Sequence, residues 1–344
     1  MSASLPRVAI VGATGAVGTE LIACLQQRRF AVRDLKLFAS ERSSGKRLAF
    51  AGQSLPVQPL AEDAFNGVDI ALFSAGATRS RRYAPLAVRA GATVIDNSSA
   101  FRMDSAVPLV VPEVNPDRIA ENRGIIANPN CVAIIAVVAL WPLHRQFGIR
   151  RVIAATYQAA SGAGAAAMEE LRDATRASLA GERFEPRVLQ HPYAFNLFSH
   201  DTAVDAVTGS NEEETKVGRE LRKIMCAPEL RVSITCIRVP VLRAHAIALN
   251  VEFEREVSPE AAREQLRAAE GVRIVDHVAR NHFPMPLEAS GQGDVLVGRI
   301  RRDSSDPSGH SLSLFVAGDQ LLKGAALNAV QIAERLPPSG IAPR

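Results

Sequence analysis

The sequence predicts an α/β protein in two parts, a parallel sheet with covering helices followed by a strand-rich α+β region. Three observations carry this prediction. Short apolar runs alternate with helical stretches through the first part of the chain, the pattern of parallel strands joined by crossover helices. Gly12, Gly15 and Gly18 lie between the first apolar run and the first helical stretch. From about Arg150 onward the pattern changes to longer β-rich runs with few helices.

Taken in order, residues 8–11 read as a strand, 19–27 as an amphipathic helix and 35–38 as a second strand. Residues 70–73 and 93–95 read as buried strands, with a helix at 83–90 between them. In the second part, 151–156, 232–239, 246–253, 295–300 and 311–316 read as strands, and 168–179 and 259–269 as helices. Residues 303–309 form a polar loop of turn formers, and 320–335 return to a helical pattern with small residues at Gly324, Ala325 and Ala326.

Bulk properties narrow the function. A chain of 344 residues, 47% hydrophobic and 22% charged, suits two globular domains. Lys and Arg number 40 against 36 Asp and Glu, a net +4, with no Lys/Arg-only run and 5% aromatics. A nucleic-acid groove needs a clustered basic face with stacking residues, so a small anionic ligand fits better. Cys24, Cys131, Cys226 and Cys236 show no CxxC spacing, which speaks against a metal site or a disulfide framework and for a reducing cytosol. The N-terminus runs directly into the first strand, with no signal peptide expected. The apolar stretch 132–141 is too short to span a membrane and meets Pro142.

The glycine loop points to a dinucleotide. In the order strand, G-x-x-G-x-x-G, helix, the backbone can approach a pyrophosphate and the helix N-terminus offers N–H groups to it. The spacing departs from G-x-G-x-x-G, and a ligand-free βα turn is the plain alternative. After the second strand, Glu41 is placed to bind a ribose hydroxyl. Its neighbours Ser40, Arg42 and Ser43 suit a 2′-phosphate better, because a guanidinium offers phosphate a planar charged fork. NADP is the expected cofactor.

Asn128, Pro129 and Asn130 lead into the apolar run behind Cys131. Asn and Pro start helices, so Cys131 is expected at a helix N-terminus, where a thiolate is stabilised. Cys24, Cys226 and Cys236 lie in apolar or helical stretches and are expected to be inert. His245 follows an extended segment broken by Pro240 and is the candidate partner for proton traffic. Spacing alone does not separate it from the other histidines.

These blocks in order resemble the aspartate-semialdehyde dehydrogenase family over nearly the whole chain: residues 11–18, 72–76, 96–102, 110–115, 128–131, 156–164, 213–216, 238–245 and 322–328. The resemblance implies a Rossmann-type dinucleotide-binding domain (1–130 plus 320–344). It implies a catalytic and dimerisation domain with a large mixed sheet (131–319). The implied reaction is NADPH-dependent reduction of L-aspartyl 4-phosphate to L-aspartate 4-semialdehyde in the cytoplasm. The enzyme would be a homodimer, with no nucleic acid, membrane or metal involved.

By the same resemblance Cys131 forms the acyl thioester, His245 is the general acid/base and Gln158 orients the reacting groups. Arg238 holds the substrate carboxylate. Arg102, Asn130 and Lys216 form the phosphate site, with Glu213 on the amino side. Gly12, Thr14, Gly15, Ala16, Val17 and Gly18 cradle the pyrophosphate, and Ser40, Arg42 and Ser43 hold the 2′-phosphate. Ser161 and Gly162 flank the nicotinamide, with Gln320 and Asn328 as further cofactor contacts. Two stretches depart from the family. Val132 and Ala133 replace small hydroxyl residues, and residues 198–201 replace a more apolar turn. An N-acetyl-glutamyl-phosphate reductase-like enzyme is the nearest alternative. Its nucleophile follows a glycine and precedes an aromatic, whereas here the flanks are Asn130 and Val132. A non-catalytic binding paralogue is the other.

Overall fold

The first apolar run becomes β1 (Arg7–Val11), buried at the middle of a seven-stranded sheet in a computed structural model that describes residues 5–337. The glycine loop leads into α1 (Ala16–Gln27) and β2 (Asp34–Ala39). Then come β3 (Arg47–Phe50), β4 (Gln53–Pro59), β5 (Ile70–Phe73), α2 (Ala77–Arg89), β6 (Thr93–Asp96) and β7 (Ile125–Ala127). The strand order is β3-β4-β2-β1-β5-β6-β7, all parallel except β3. The chain winds outward from β1 to β2 and returns to β5 on the other side. That reversal leaves a crevice at the carboxyl ends of β1 and β5, the usual ligand position in a doubly wound sheet.

Two features here differ from expectation. α2 begins at Ala77 rather than at residue 83, because its first turn is polar and carries no apolar stripe. The β3–β4 hairpin was not foreseen. It lies at the sheet edge, where exposed residues erase the alternation.

Residues Cys131–Gly324 form a second unit. It contains α3 (Cys131–Phe147), β8 (Ile149–Gln158), α4 (Ala165–Leu179), β9 (Phe198–Ser199), α5 (Glu212–Ile224), β10 (Arg231–Arg238) and β11 (His245–Phe253). It continues with α6 (Pro259–Arg267), β12 (Val272–Ile274), α7 (Pro286–Ala289), β13 (Val295–Arg302) and β14 (Ser311–Gly318). The strands form a mixed sheet in the order β12-β13-β14-β11-β8-β10-β9. α3 lies against this sheet and packs on α5 and α6, so residues 132–140 are buried on every side. Each Val, Ile or Leu buried there contributes roughly 1.5–3 kcal/mol. α5, absent from the sequence-based expectation, starts with a capping box between Asn211 and Glu214.

After a π-helical turn at Leu322–Ala326, α8 (Leu327–Glu334) belongs to the first unit and packs on α1. The second unit thus ends at Gly324, slightly beyond the expected boundary at 320. Among the described residues no helix is long and apolar enough to cross a membrane, and no His/Cys/Asp/Glu group could hold a metal ion.

Candidate active site

A cleft of about 470 Å³ opens in the first unit. Gly12, Thr14 and Gly15 form one wall, the turn Ser40-Glu41-Arg42 another, and Ser74, Ala75, Arg79 and Tyr83 a third. Close approach explains the glycines. A Cβ on Gly12 (φ +90°) would stand 2.2 Å from the Ser74 carbonyl oxygen, and one on Gly18 2.1 Å from the Gly12 carbonyl oxygen. Gly15 is the N-cap of α1 and no side chain caps the helix, so the first-turn N–H groups around Ala16 and Val17 are open to an anion. These features fit a pyrophosphate. Arg42 and Arg79 add two cations at the rim. Ser43 lies differently from expectation. It is buried and accepts a hydrogen bond from the Thr14 hydroxyl at 3.1 Å, bracing the loop from behind.

In the second unit, strand register assembles a row of polar side chains. Gln158 ends β8 and pairs directly with Arg238 at the end of β10. Ala246 of β11 pairs with Tyr157, so His245 enters the sheet beside Gln158. All three residues are buried. The Gln158 Nε2 donates to Glu213 Oε1 at 3.2 Å, while its Oε1 has no partner among the described protein atoms. Arg238 Nε donates to Asp201 Oδ1 at 3.0 Å, and its Nη1 to the Ala159 carbonyl at 3.4 Å. Burial pushes the Asp201 carboxyl up, but the Arg238 charge and hydrogen bond outweigh it and hold the carboxyl below its usual range.

His245 is held from its backbone and its ring. Ala244 has φ +70°, a left-handed conformation rare for alanine, and its N–H donates to Gln320 Oε1 at 2.9 Å. Gln320 Nε2 donates in turn to the Ser161 hydroxyl. The Ala159 N–H donates to His245 Nδ1 at 3.0 Å, and Nε2 is buried with no described partner. Burial first, then the Arg238 charge and His200, hold the imidazole well below its ordinary pKa. Gly162 keeps the space in front open: a Cβ there would lie 2.9 Å from His245 Cε1 and 3.0 Å from Arg238 Nη1.

Cys131 is the first residue of α3, as expected, and is half-buried. Gly324 permits this, since a Cβ on it would stand 3.0 Å from Cys131 Cβ. Val132 and Ala133 are fully buried, which accounts for apolar residues in place of hydroxyls. Upstream, Asn128 donates to Asn97 Oδ1 at 2.8 Å and accepts from Asn328 Nδ2 at 2.7 Å, and Asn328 also donates to the Val110 carbonyl at 3.0 Å. Asn328 therefore braces the approach to Asn130, a structural use that the sequence did not suggest. Arg102 donates to the carbonyls of Asn128 (3.0 Å) and Asn97 (2.7 Å), which orient its guanidinium. Burial drives the Cys236 thiol far upward, so it is inert. Cys226 is exposed rather than buried, at the end of α5 in a left-handed conformation.

Known proteins match this arrangement. The semialdehyde dehydrogenase NAD-binding domain matches residues 7–122, and the semialdehyde dehydrogenase dimerisation domain residues 140–323. The aspartate-semialdehyde dehydrogenase of a Synechocystis species is 52% identical over 97% of this chain and 98% of its own. The chain belongs to the aspartate-semialdehyde dehydrogenase family. The Bacillus subtilis enzyme of that name is 45% identical over 96% of both chains. The structure of aspartate semialdehyde dehydrogenase II from Vibrio cholerae complexed with ASA superposes with a TM-score of 0.93. It is 44% identical and covers 97% of this chain and 98% of that one. The Candida albicans enzyme with NADP gives 0.74 at 25% identity, covering 97% and 98%.

Against this family background, the sequence missed three contributions. Arg79 and Tyr83 share one face of α2 as an i, i+4 pair, a signal obscured by the misplaced helix start. Asp201, noted only as a departure from the family, is the partner of Arg238. Lys216, expected in the phosphate site, pairs with Glu212 at 2.7 Å and is half-exposed.

Proposed function

We propose that this chain reduces L-aspartyl 4-phosphate to L-aspartate 4-semialdehyde with NADPH, through a thioester on Cys131. The observation that carries the reading is the buried row Gln158, Arg238 and His245 in a unit whose first helix begins at Cys131. The bound dinucleotide supplies the hydride. Cys131 attacks the acyl carbon as a thiolate, favoured by the N-terminus of α3. Gln158 orients the carbonyl. Arg238 takes the α-carboxylate, and Glu213 faces the amino group. Arg102, Asn130 and Lys216 receive the phosphate, and Lys216 exchanges Glu212 for it. Arg42, aided by Arg79, favours NADP over NAD through the 2′-phosphate. The test is a panel with aspartate semialdehyde, phosphate and either NADP or NAD. NADPH should form beyond one equivalent per active site only when both phosphate and aspartate semialdehyde are supplied, and equal rates with NAD would remove the arginine assignment.

We also infer a homodimer formed through the open face of the second sheet. Along β8, Ile153 and Tyr157 alternate outward and are 38% and 37% exposed, and the Tyr157 ring lies 6.1 Å from that of Phe315. An apolar strand face left to water is an association surface. Tyr157→Asp should give a monomer in sedimentation; an unchanged species would exclude this face. The cysteines form no disulfides among the described residues, which is in keeping with a cytoplasmic enzyme.

A further inference from the structure

We propose that the turn at residues 200–202, after β9, sets the spacing between Arg238 and Glu213, and that the Thr202 hydroxyl is the positioning group behind selection of an α-amino aldehyde over one that lacks the amino group. This rests on the function proposed above, in which Arg238 takes the α-carboxylate and Glu213 faces the amino group.

Consecutive residues of the turn reach the two recognition groups. Asp201 Oδ1 accepts from Arg238 Nε at 3.0 Å. A guanidinium carries its five N–H donors in one rigid plane, so engaging Nε sets the direction of the whole fork. Thr202 Oγ1 then accepts from the Glu213 N–H at 3.2 Å, and the Ala203 carbonyl from the Glu212 N–H at 2.9 Å. Both donors lie in the first turn of α5, where N–H groups have no partner inside the helix. The next N–H, of Glu214, goes to the capping residue Asn211 at 2.9 Å. The Thr202 hydroxyl therefore holds the peptide unit that carries the Glu213 side chain. His200 Nδ1 lies 3.3 Å from the same hydroxyl and restricts its rotation.

The turn is itself fixed to the sheet. β9 pairs with β10 at Ser199–Ile237 and Phe198–Arg238, and the His200 N–H donates to the Cys236 carbonyl at 2.9 Å. The Cys236 N–H donates to Glu214 Oε1 at 3.0 Å, which ties the start of α5 to the same stretch of β10. Gln158 completes the connection, donating to Glu213 Oε1 at 3.2 Å and pairing in register with Arg238. Glu213, Thr202, Asp201, Arg238 and Gln158 thus form a closed circuit. Within it Asp201 serves the carboxylate end and Thr202 the amino end. The pull of a carboxylate on an ammonium falls with separation, so a shift of Glu213 weakens amino-group recognition and spares the carboxylate clamp.

Steady-state kinetics of the full-length enzyme with NADP and phosphate test this. Aspartate semialdehyde is the substrate. Succinate semialdehyde, which keeps the carboxylate and the aldehyde but has no amino group, is scored by its inhibition constant. In the wild type it should bind at least about 10-fold more weakly than aspartate semialdehyde. Thr202→Val, close in shape but without an acceptor, should raise KM for aspartate semialdehyde about five-fold or more. It should leave kcat and the succinate semialdehyde constant within about two-fold. Thr202→Ser keeps the hydroxyl and should restore the wild-type KM. Asp201→Ala should give the other pattern, weaker binding of both aldehydes, because both carry the carboxylate. Equal effects of Thr202→Val on the two aldehydes, no effect on either, or a Thr202→Ser enzyme as discriminating as the wild type only when Thr202→Val is too, overturn the proposal. A wild type that does not turn over aspartate semialdehyde overturns the underlying function and this inference with it. An active wild type with an insensitive Thr202→Val overturns this inference alone.

Discussion

The dinucleotide cleft and the catalytic row are built from opposite materials. The cleft is made of backbone: Gly12 and Gly18 let chain segments approach to distances that no Cβ allows, and α1 leaves its first N–H groups open. The row is made of buried polar side chains, each fixed by a neighbour, as Arg238 is by Asp201 and His245 by Ala159. Backbone can cradle an anion because its donors come at regular spacing from a helix end. A reacting carbonyl needs different groups on different sides, which only side chains supply, and burying them demands a partner for each. Stability and chemistry should therefore separate between the two regions.

The sharpest separation lies at the nucleophile. Cys131→Ala should lower kcat by more than about 10⁴-fold while NADPH affinity stays within about two-fold of wild type. Loss of binding in fluorescence titration would mean that this cysteine is structural. Next, two alanine substitutions should diverge. Gly162→Ala places a methyl between His245 and Arg238 and should cost about 10²-fold in kcat/KM, with a nearly unchanged Tm. Gly18→Ala drives a methyl into the Gly12 carbonyl, so it should destabilise by at least ~1–3 kcal/mol and weaken NADPH binding. Matching effects in calorimetry and kinetics would erase the distinction.

A smaller effect is expected at Arg42. Arg42→Ala should raise KM for NADPH by about 10-fold, the value of one charge-assisted hydrogen bond, and leave NADH unaffected. The smallest concerns Asp201. Its carboxyl lies below the usual range, so the pair with Arg238 is complete above the ordinary carboxylate pKa and is lost as pH falls through the lowered value. KM for aspartate semialdehyde should be flat from about pH 5 to 8 in the wild type. Asp201→Asn, which keeps an acceptor for Arg238 Nε, should change KM by less than about five-fold, and Asp201→Ala by more.

The same contrast governs what could be read in the sequence. The cleft is local: a strand, three glycines and a helix are contiguous, and the turn after β2 follows at once. Arg79 and Tyr83 escaped because the polar first turn of α2 hid the helix start. The row is non-local. Gln158, Arg238 and His245 meet through register between β8, β10 and β11, which no periodicity reveals, so they were legible only through the order of family motifs. Asp201 looked like an ordinary loop residue, since nothing in the sequence tells that β9 returns to β10. α5 was missed although Asn211 and Glu214 spell its capping box, because its polar face dominates the pattern. Asn328 and Ser43 were read as ligand contacts. Their hydrogen bonds to Asn128 and Thr14 depend on tertiary placement alone.

The central claim is a thioester on Cys131, and a phosphate-free burst tests it most directly. Enzyme mixed with aspartate semialdehyde and NADP, without phosphate, should release one equivalent of NADPH per active site. The acid-quenched protein should then carry an aspartyl group on the peptide containing Cys131. A burst with the acyl group on another residue, or no burst from enzyme that turns over when phosphate is added, would contradict it.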